Sequence, residues 1–414
     1  MKILWLSHFV PYPPRGGALQ RSHHLLRHTA SRHQVTLLTL NQRARLPTEA
    51  QLQEAIQALE RLGVALQVFP IPADRGGFRW ISMAALGFFQ TTPYDVNWLR
   101  SPRLAQAVAS VLRREPFDVI HVDTIGLMPM LPESPPASVV LNHHNVESHM
   151  LFRRAEREES TWKKVYMRRE AAKLAELERR AGQSVALNLV VSDLDGERLR
   201  SVAPAAPTCV IANGVDTAYF APGQDPVGDG HHLVFAGSLG WYPNHDAMMF
   251  FLGEVWPELV ARDPHFRFSL IGRSPRAEVC ELAAADSRIA VTGEVPDVRP
   301  YAHQAGIYVC PIRDGGGTRL KILDALAMGK AMVATSMAVE GLEMIPGQHF
   351  LPANSPEEFV RYICELRDQP ELRRRLGSEG RRLVESRFAW PIIGAELEAA
   401  YRSVARTPVR EGST

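Results

Sequence analysis

The chain has 414 residues, beyond the size at which a single hydrophobic core keeps growing, so two domains are expected. A hydrophobic content of 45% and a charged content of 22% are those of an ordinary globular protein, and a net charge of +2, from 47 basic and 45 acidic residues, gives no general drive towards nucleic acid. Four scattered cysteines, Cys209, Cys280, Cys310 and Cys364, have no metal-ligand spacing and fit a reducing cytoplasm, and no apolar run approaches the roughly 18 residues of a membrane span.

Lys2 to Leu6 reads as a buried strand, its Ile3 to Leu6 run too short for a signal-peptide core. Pro11, Pro13, Pro14, Gly16 and Gly17 then predict a loop, and a helix begins at about Ala18 with Arg21 in its first turn. Gln34 to Leu40 and Val64 to Pro70 are further strands, separated by a helix that Thr48 caps and Gly63 ends. Val119 to Val122, Val139 to Leu141 and Leu187 to Val191 continue the series. Short apolar strands alternating with helices predict a parallel, doubly wound sheet. Leu151 to Arg180 is proline-free, highly charged and predicted as one long solvated helix. Ser192 starts another. Pro204, Pro207, Pro222 and Pro226 punctuate the next stretch, which places the domain linker near Ala205.

The alternation restarts with Leu233 to Ala236, Phe266 to Ile271, Ile289 to Val291, Ile307 to Cys310 and Ala331 to Ala334, predicting a second domain of the same type over 206–389. Each domain opens with a strand running into a glycine turn (Gly16-Gly17; Gly237-Ser238), so a cleft lined by the carboxyl ends of both sheets is expected. The stretch that carries most chemistry is Arg313 to Ala327. It reads as a strand end, a loop of Gly315, Gly316 and Gly317, and a helix with Thr318 as N-cap and Gly329 as stop. Glycines let the backbone approach a ligand, the helix start offers N–H groups to an anion, and Arg313, Arg319 and Lys321 add positive charge. The stretch lacks both the Lys-Ser/Thr ending of a nucleotide-triphosphatase loop and the Gly-x-Gly-x-x-Gly of dinucleotide binders. A diphosphate held without hydrolysis fits it better. Helices over Phe359 to Leu366, Leu372 to Val384 and Trp390 to Ala405 complete the chain.

Other candidates are weaker. Asp193-Leu194-Asp195 has metal-binding spacing but directly follows Ser192, where acidic residues suit a helix start. His121, His143 and His144 fall at strand ends. Trp241 and Tyr242, in a predicted ligand-facing turn, could pack on a base or a sugar. Phe78 to Phe89, with Arg75 and Arg79, reads either as core or as a surface patch touching the inner membrane or a lipid-linked acceptor.

The whole chain resembles glycosyltransferase family four, the retaining nucleotide-sugar transferases of GT-B fold, and within it the bacterial branch associated with exopolysaccharide and capsule assembly. The resemblance is carried by Gly16-Gly17 with Arg21, His144-Asn145-Val146-Glu147-Ser148, Asn213-Gly214-Val215-Asp216, the segment Phe235 to Asn244, and Arg313 to Ala327. It implies two Rossmann-like domains, an acceptor-side domain over 1–205 and a nucleotide-sugar domain over 206–389, with a last helix from 390 crossing back to the first. It implies a donor site of Gly237, Ser238, Asn244, Arg313, Gly315, Gly316, Gly317, Thr318 and Asp324, approached by Gly16, Gly17 and Arg21. His144 would border the donor sugar, and Arg319 and Lys321 would offset charge on the leaving diphosphate. No metal and no cofactor other than the donor substrate are expected, the acceptor being a glycan or a lipid-linked glycan, with no nucleic acid. The protein would be cytoplasmic, able to touch the inner face of the plasma membrane. The family's usual Glu-x7-Glu is here Gly316 and Asp324, and the Arg and Lys that many members place after the first strand of the second domain are missing. Fold alone does not fix the reaction, so a sugar-nucleotide epimerase and a catalytically silent nucleotide-sugar-binding protein are the alternatives.

Overall fold

The computed structural model describes residues 1–75, 87 and 90–405. Phe78 to Phe89, Gly87 apart, lies outside the described residues. Contacts divide the chain into two compact units, 1–212 with 393–414 and 213–392.

In the first unit seven strands form one sheet: β1 (Lys2–Ser7), β2 (Gln34–Asn41), β3 (Ala65–Pro70), β4 (Val119–Val122), β5 (Ser138–Asn142), β6 (Leu187–Val190) and β7 (Thr208–Val210). All pairs are parallel, in the order β3-β2-β1-β4-β5-β6-β7. Parallel strands need helical crossovers that cover both faces, which is why Ile3 to Leu6 is apolar without alternation and why it and Val119 to Val122, His121 included, are buried. Leu4, Leu6, Leu38, Ile120 and Val122 join Leu104, Val108 and Val111 of the helix Pro102–Arg114 in one core. Each such side chain contributes about 1.5–3 kcal/mol by leaving water.

In the second unit β8 (Asp229–Ala236), β9 (Arg267–Ile271), β10 (Ile289–Gly293), β11 (Ala305–Cys310), β12 (Ala331–Ala334) and β13 (Leu351–Pro352) pair in the order β10-β9-β8-β11-β12-β13, again all parallel. In both sheets the chain winds outward from a central strand, then returns to its other side. The carboxyl ends of β1 and β4, and of β8 and β11, therefore diverge into a crevice at a switch of winding direction.

Local sequence accounts for most element ends. Thr48 accepts from the Gln51 backbone and Gln51 reaches back to Thr48, a capping box on the helix Glu49–Glu60, while Gly63 takes φ 80° beyond its end. Three expectations change. Leu151 to Arg180 is not one helix: Glu147–Arg157 and Thr161–Ser184 are separated where the Glu158 carboxylate accepts from the Ser160 backbone, a local bond that competes with helix continuation. Thr318 is not the N-cap of the cradle helix, which runs Leu320–Ala327 from an extended Arg319, because Thr318 instead accepts from Asn213 Nδ2 at 2.6 Å. The turn after β8 ends sooner than its sequence suggests, for Pro243 sits in the first turn of a helix over Tyr242–Phe250. The short edge strands β7 and β13 have too few residues to show a pattern in sequence.

At the β8–β9 ends the backbones nearly touch. Gly272 adopts φ 154°, and a Cβ there would fall 1.6 Å from the Gly237 carbonyl oxygen. Gly272→Ala should therefore cost roughly 1–3 kcal/mol or more, read as a lower urea midpoint. An unchanged midpoint would show that this approach relaxes freely.

Candidate functional site

Each switch point gathers polar side chains. In the first unit Asp123, the residue after β4, is completely buried. Its Oδ2 accepts from Ser22 Oγ at 2.5 Å and from Ser7 Oγ at 3.3 Å, and its Oδ1 accepts from Asn142 Nδ2 at 2.8 Å. His144 Nε2 lies 3.3 Å and His121 Nε2 3.7 Å from the same Oδ1. Burial opposes ionisation of this carboxyl, but the His144 and His121 rings overcome it and hold Asp123 well below the usual carboxylate range. His121 is in turn fixed from behind, stacked on Trp5 at 3.7 Å between ring centroids and bonded through Nδ1 to the Tyr401 hydroxyl at 2.8 Å. Arg21, also buried, donates through Nε and Nη2 to Asn142 Oδ1 (3.3 and 2.9 Å) and through Nη1 to the Ala212 carbonyl (2.9 Å). Burial lowers its guanidinium to about 10, so it stays charged at neutral pH.

Gly16, at φ 94°, starts the helix Gly17–Ala30 and has open space where a Cβ would point. His143 is held apart from this group by Asn188 Oδ1 at 3.0 Å, so of the two adjacent histidines only His144 faces Asp123. His8, Asp123 and His144 bring ligand-type atoms within 4.8 Å of one another. Asp123 already accepts from Ser22, Ser7 and Asn142, whereas His8 Nδ1 and His144 Nε2 are buried with no hydrogen-bond partner among the described residues.

In the second unit the cradle lies between β11 and the helix Leu320–Ala327. Gly315 and Gly317 take φ 110° and 67°, conformations that only glycine adopts cheaply. Arg319 folds back over them, Nη2 donating to the Gly315 carbonyl at 2.9 Å and Nη1 to the Gly317 carbonyl at 2.8 Å. It braces the loop while placing a buried cation beneath it. Lys321 Nζ donates to Asn244 Oδ1 at 2.6 Å and lies 4.3 Å from the Phe235 ring centroid, and Asn244 Nδ2 donates to the Ser238 carbonyl at 2.7 Å. Gly237 leaves room for this amine, since a Cβ there would come within 2.4 Å of Lys321 Nζ and push the side chain aside. Burial lowers Lys321 to about 8 and raises Asp324, one turn on, to about 8. Asp324 Oδ1 is sealed from water with no hydrogen-bond partner among the described residues. Arg313 is less available: it donates to both oxygens of Asp246 at 3.2 and 2.9 Å and stacks over Phe250. Tyr242 Oη donates to Asp314 Oδ2 at 2.9 Å, whereas Trp241 is exposed. Gly316 brings no side chain to the cradle.

Asp193 and Asp195 sit at a helix start, where Ser192 Oγ accepts from the Asp195 backbone and Asp195 pairs with Arg198 at 3.2 Å. Sequence reasoning missed Asp123, His8, Ser22 and Asn142. The one available signal was a lone carboxylate directly after the predicted strand Val119 to Val122, which is the switch-point position.

Known proteins share both halves of this architecture. The family described as Glycosyltransferase Family 4 matches residues 15–219, and that described as Glycosyl transferases group 1 matches residues 230–369. The phosphatidyl-myo-inositol mannosyltransferase of Mycolicibacterium smegmatis is 25% identical over 232 residues, covering 54% of this chain and 58% of that protein. The lipopolysaccharide core biosynthesis mannosyltransferase LpcC of Rhizobium leguminosarum is 27% identical over 235 residues, covering 52% and 64% respectively. The matches thus span less than two thirds of the length of either relative. Among solved structures, Anabaena HepE in complex with UDP superposes over 97% of this chain and 100% of its own, with a TM-score of 0.66 at 14% identity. This likeness, with the two parallel sheets, shows the GT-B fold.

The buried histidines give a pH dependence. Burial lowers His8 to about 3, helped by His144, and His143 to about 4. Both stay neutral in the folded chain, while in the unfolded chain they protonate near about 6.5. The unfolded state then binds more protons between those values, so their contribution is fully present above about pH 6.5 and is lost as pH falls through that window. The Asp123 contribution, from a depressed pKa, is lost only below about pH 4, while Asp324 and Glu147, raised to about 8 by burial, add stability as pH falls through the same window, so the histidine effect is read as a difference between variants. Urea midpoints at pH 7.5 and 5 should drop more for wild type than for His8→Gln; equal drops would remove His8 from the account.

Proposed function

Because the chain belongs to glycosyltransferase family four, we propose that it moves a sugar from a nucleoside diphosphate, with retention of anomeric configuration, onto a hydroxyl of a glycan or lipid-linked acceptor in surface polysaccharide assembly. The observation that carries this is the orphaned Asp324 Oδ1 beside Lys321 in a glycine cradle at a switch point. A buried carboxyl without a partner is costly unless a ligand supplies donors, and the vicinal hydroxyls of a ribose supply two. Lys321, Arg319 and the first N–H groups of the helix Leu320–Ala327 then surround the diphosphate. HepE has been solved with UDP and with UDP-glucose, the mycobacterial relative is named for a phosphoinositide and LpcC for the lipopolysaccharide core. These names support a nucleotide-sugar donor and a lipid-linked or surface-glycan acceptor here.

The chemistry asked of the chain is modest. As the glycosidic bond to phosphate breaks, negative charge grows on the diphosphate, and fixed cations stabilise that state more than the ground state. Lys321, held by Asn244 and the aromatic face of Phe235, would be one of these cations. Arg319 acts from beneath the loop. His144 is turned to Asp123 by its Nε2 within the first unit, and no enzyme base is needed if the departing phosphate takes the acceptor proton. Transfer would require no divalent cation, because Asp195 is engaged by Ser192 and Arg198 and Asp123 by its own network.

Lys321→Ala should lower turnover by the order of 10 to 1,000-fold with a smaller loss of donor affinity. Equal losses in both would assign Lys321 to binding alone. The product sugar should keep the anomeric configuration of the donor, read by proton NMR; inversion would overturn the mechanism. Activity should persist in EDTA. Abolition with rescue by added metal would instead return His8, Asp123 and His144, or Asp193 and Asp195, as ligands, and donor binding without transfer to any acceptor would favour a binding protein.

A further inference from the structure

Three neighbouring strands of the first sheet, β1, β4 and β5, run parallel with Leu6, Val122 and Leu141 level, so the residues that follow them emerge side by side. His8 directly follows β1, Asp123 directly follows β4, and His144 comes two residues after β5. Among the described residues these three form the one group of such side chains whose ligand-type atoms all lie within 4.8 Å of one another. Their surroundings hold them in place. Gln42 Nε2 donates to the His8 carbonyl at 2.9 Å, the His8 ring lies 4.1 Å from the Phe9 ring, and Ser22, Ser7 and Asn142 orient Asp123.

A carboxylate offers about four lone-pair sites, and these donors use two on Oδ2 and one on Oδ1. One site remains, on Oδ1. His144 Nε2 lies 3.3 Å and His121 Nε2 3.7 Å from that oxygen, yet neither makes a hydrogen bond, and His8 Nδ1 is likewise sealed from water without a partner among the described residues. With hydrogens on their outer nitrogens, His8 and His144 present two lone pairs beside that of Asp123, and His121, bonded through Nδ1 to the Tyr401 hydroxyl, presents a third. A water can donate to only two of these atoms, whereas a cation serves them all. Imidazole nitrogens with one carboxylate oxygen are the donor set of zinc and its neighbours in the first transition row, not of magnesium or calcium, which take oxygen. Bonds of about 2.0–2.2 Å to such an ion put its ligand atoms roughly 3.5 Å apart, so the imidazoles need to turn inward by only about an ångström. Ligating carboxylates are themselves hydrogen-bonded, as Asp123 is.

We infer that His8, Asp123 and His144 form a site for one divalent ion of the zinc class, with His121 Nε2 or a water as the fourth ligand. The ion ties together the segments that follow β1, β4 and β5 and so stabilises the first unit. Transfer as proposed needs no such ion. Metal binding is read on the stripped chain without turnover, so either can fail alone.

The test is isothermal titration of the untagged full chain, stripped with EDTA and then freed of chelator. It should take up one zinc ion per chain and no magnesium. Zinc at about a hundredfold above its dissociation constant should raise the thermal midpoint by roughly 5 °C. His8→Gln and His144→Gln should each weaken zinc binding by about 100-fold or more, since losing even an outer hydrogen-bond partner costs about 10 to 100-fold. His265→Gln, at an exposed imidazole of the second unit, should leave it unchanged. Cobalt(II) should show the visible bands of a nitrogen and oxygen site without a near-ultraviolet thiolate band, and His8→Cys should add that band, which reports the ligand directly whatever happens to stability. No zinc bound by the stripped chain, binding indifferent to His8 and His144, a thiolate band in the wild type, or none in His8→Cys would overturn the proposal.

Discussion

Everything in the second unit's chemistry depends on keeping an ammonium and a carboxyl, Lys321 and Asp324, one turn apart and half-buried on the helix Leu320–Ala327. Burial pushes each towards its neutral form, to about 8 in both cases, so the folded chain spends stability to hold them there. What makes the arrangement tolerable is the surrounding fixed structure: Asn244 takes the Lys321 amine, Phe235 offers it an aromatic face, and Gly237 leaves it room. Asp324 Oδ1 has no such relief among the described residues. A site that is incomplete in this way gains most from the ligand that completes it, which ties the cost in folding to the selectivity in binding.

The first unit solves a parallel problem with the opposite outcome. Asp123 is as buried as any residue in the chain, yet it remains ionised because three side-chain donors and two imidazoles converge on it. It organises rather than waits. From it the network runs outward through Asn142 to Arg21, through His121 to Tyr401 on the final helix, and to His144. Both clusters occupy the same topological position in their sheets, beyond the carboxyl ends of the strands where winding reverses.

How much of this the sequence shows depends on distance along the chain. Apolar runs such as Ile3 to Leu6 and Ile307 to Cys310 reveal the parallel sheets because strands buried on both faces cannot alternate. The glycine loop, its positive charges and Asp324 are legible because a cradle is built from neighbours in sequence. Asp123 is not, since its partners Ser22 and Asn142 stand 101 and 19 residues away and nothing local marks them. The roles of the cations are equally tertiary: Arg319 turns back onto the Gly315 and Gly317 carbonyls, and Arg313 is taken by Asp246, 67 residues distant. The break at Glu158 to Ser160 was hidden because charged residues of good helical propensity surround it and one side-chain bond decides it.

The central claim is that Asp324 and Lys321 together complete a nucleoside diphosphate site. Isothermal titration of the full chain with UDP, GDP and ADP tests it most directly. One of the three should bind with a dissociation constant well below the others, and both Asp324→Ala and Lys321→Met should weaken it by an order of magnitude or more, about 1.4 kcal/mol each. Tight binding that survives both substitutions, or no binding of any nucleotide by a folded chain, would contradict the account.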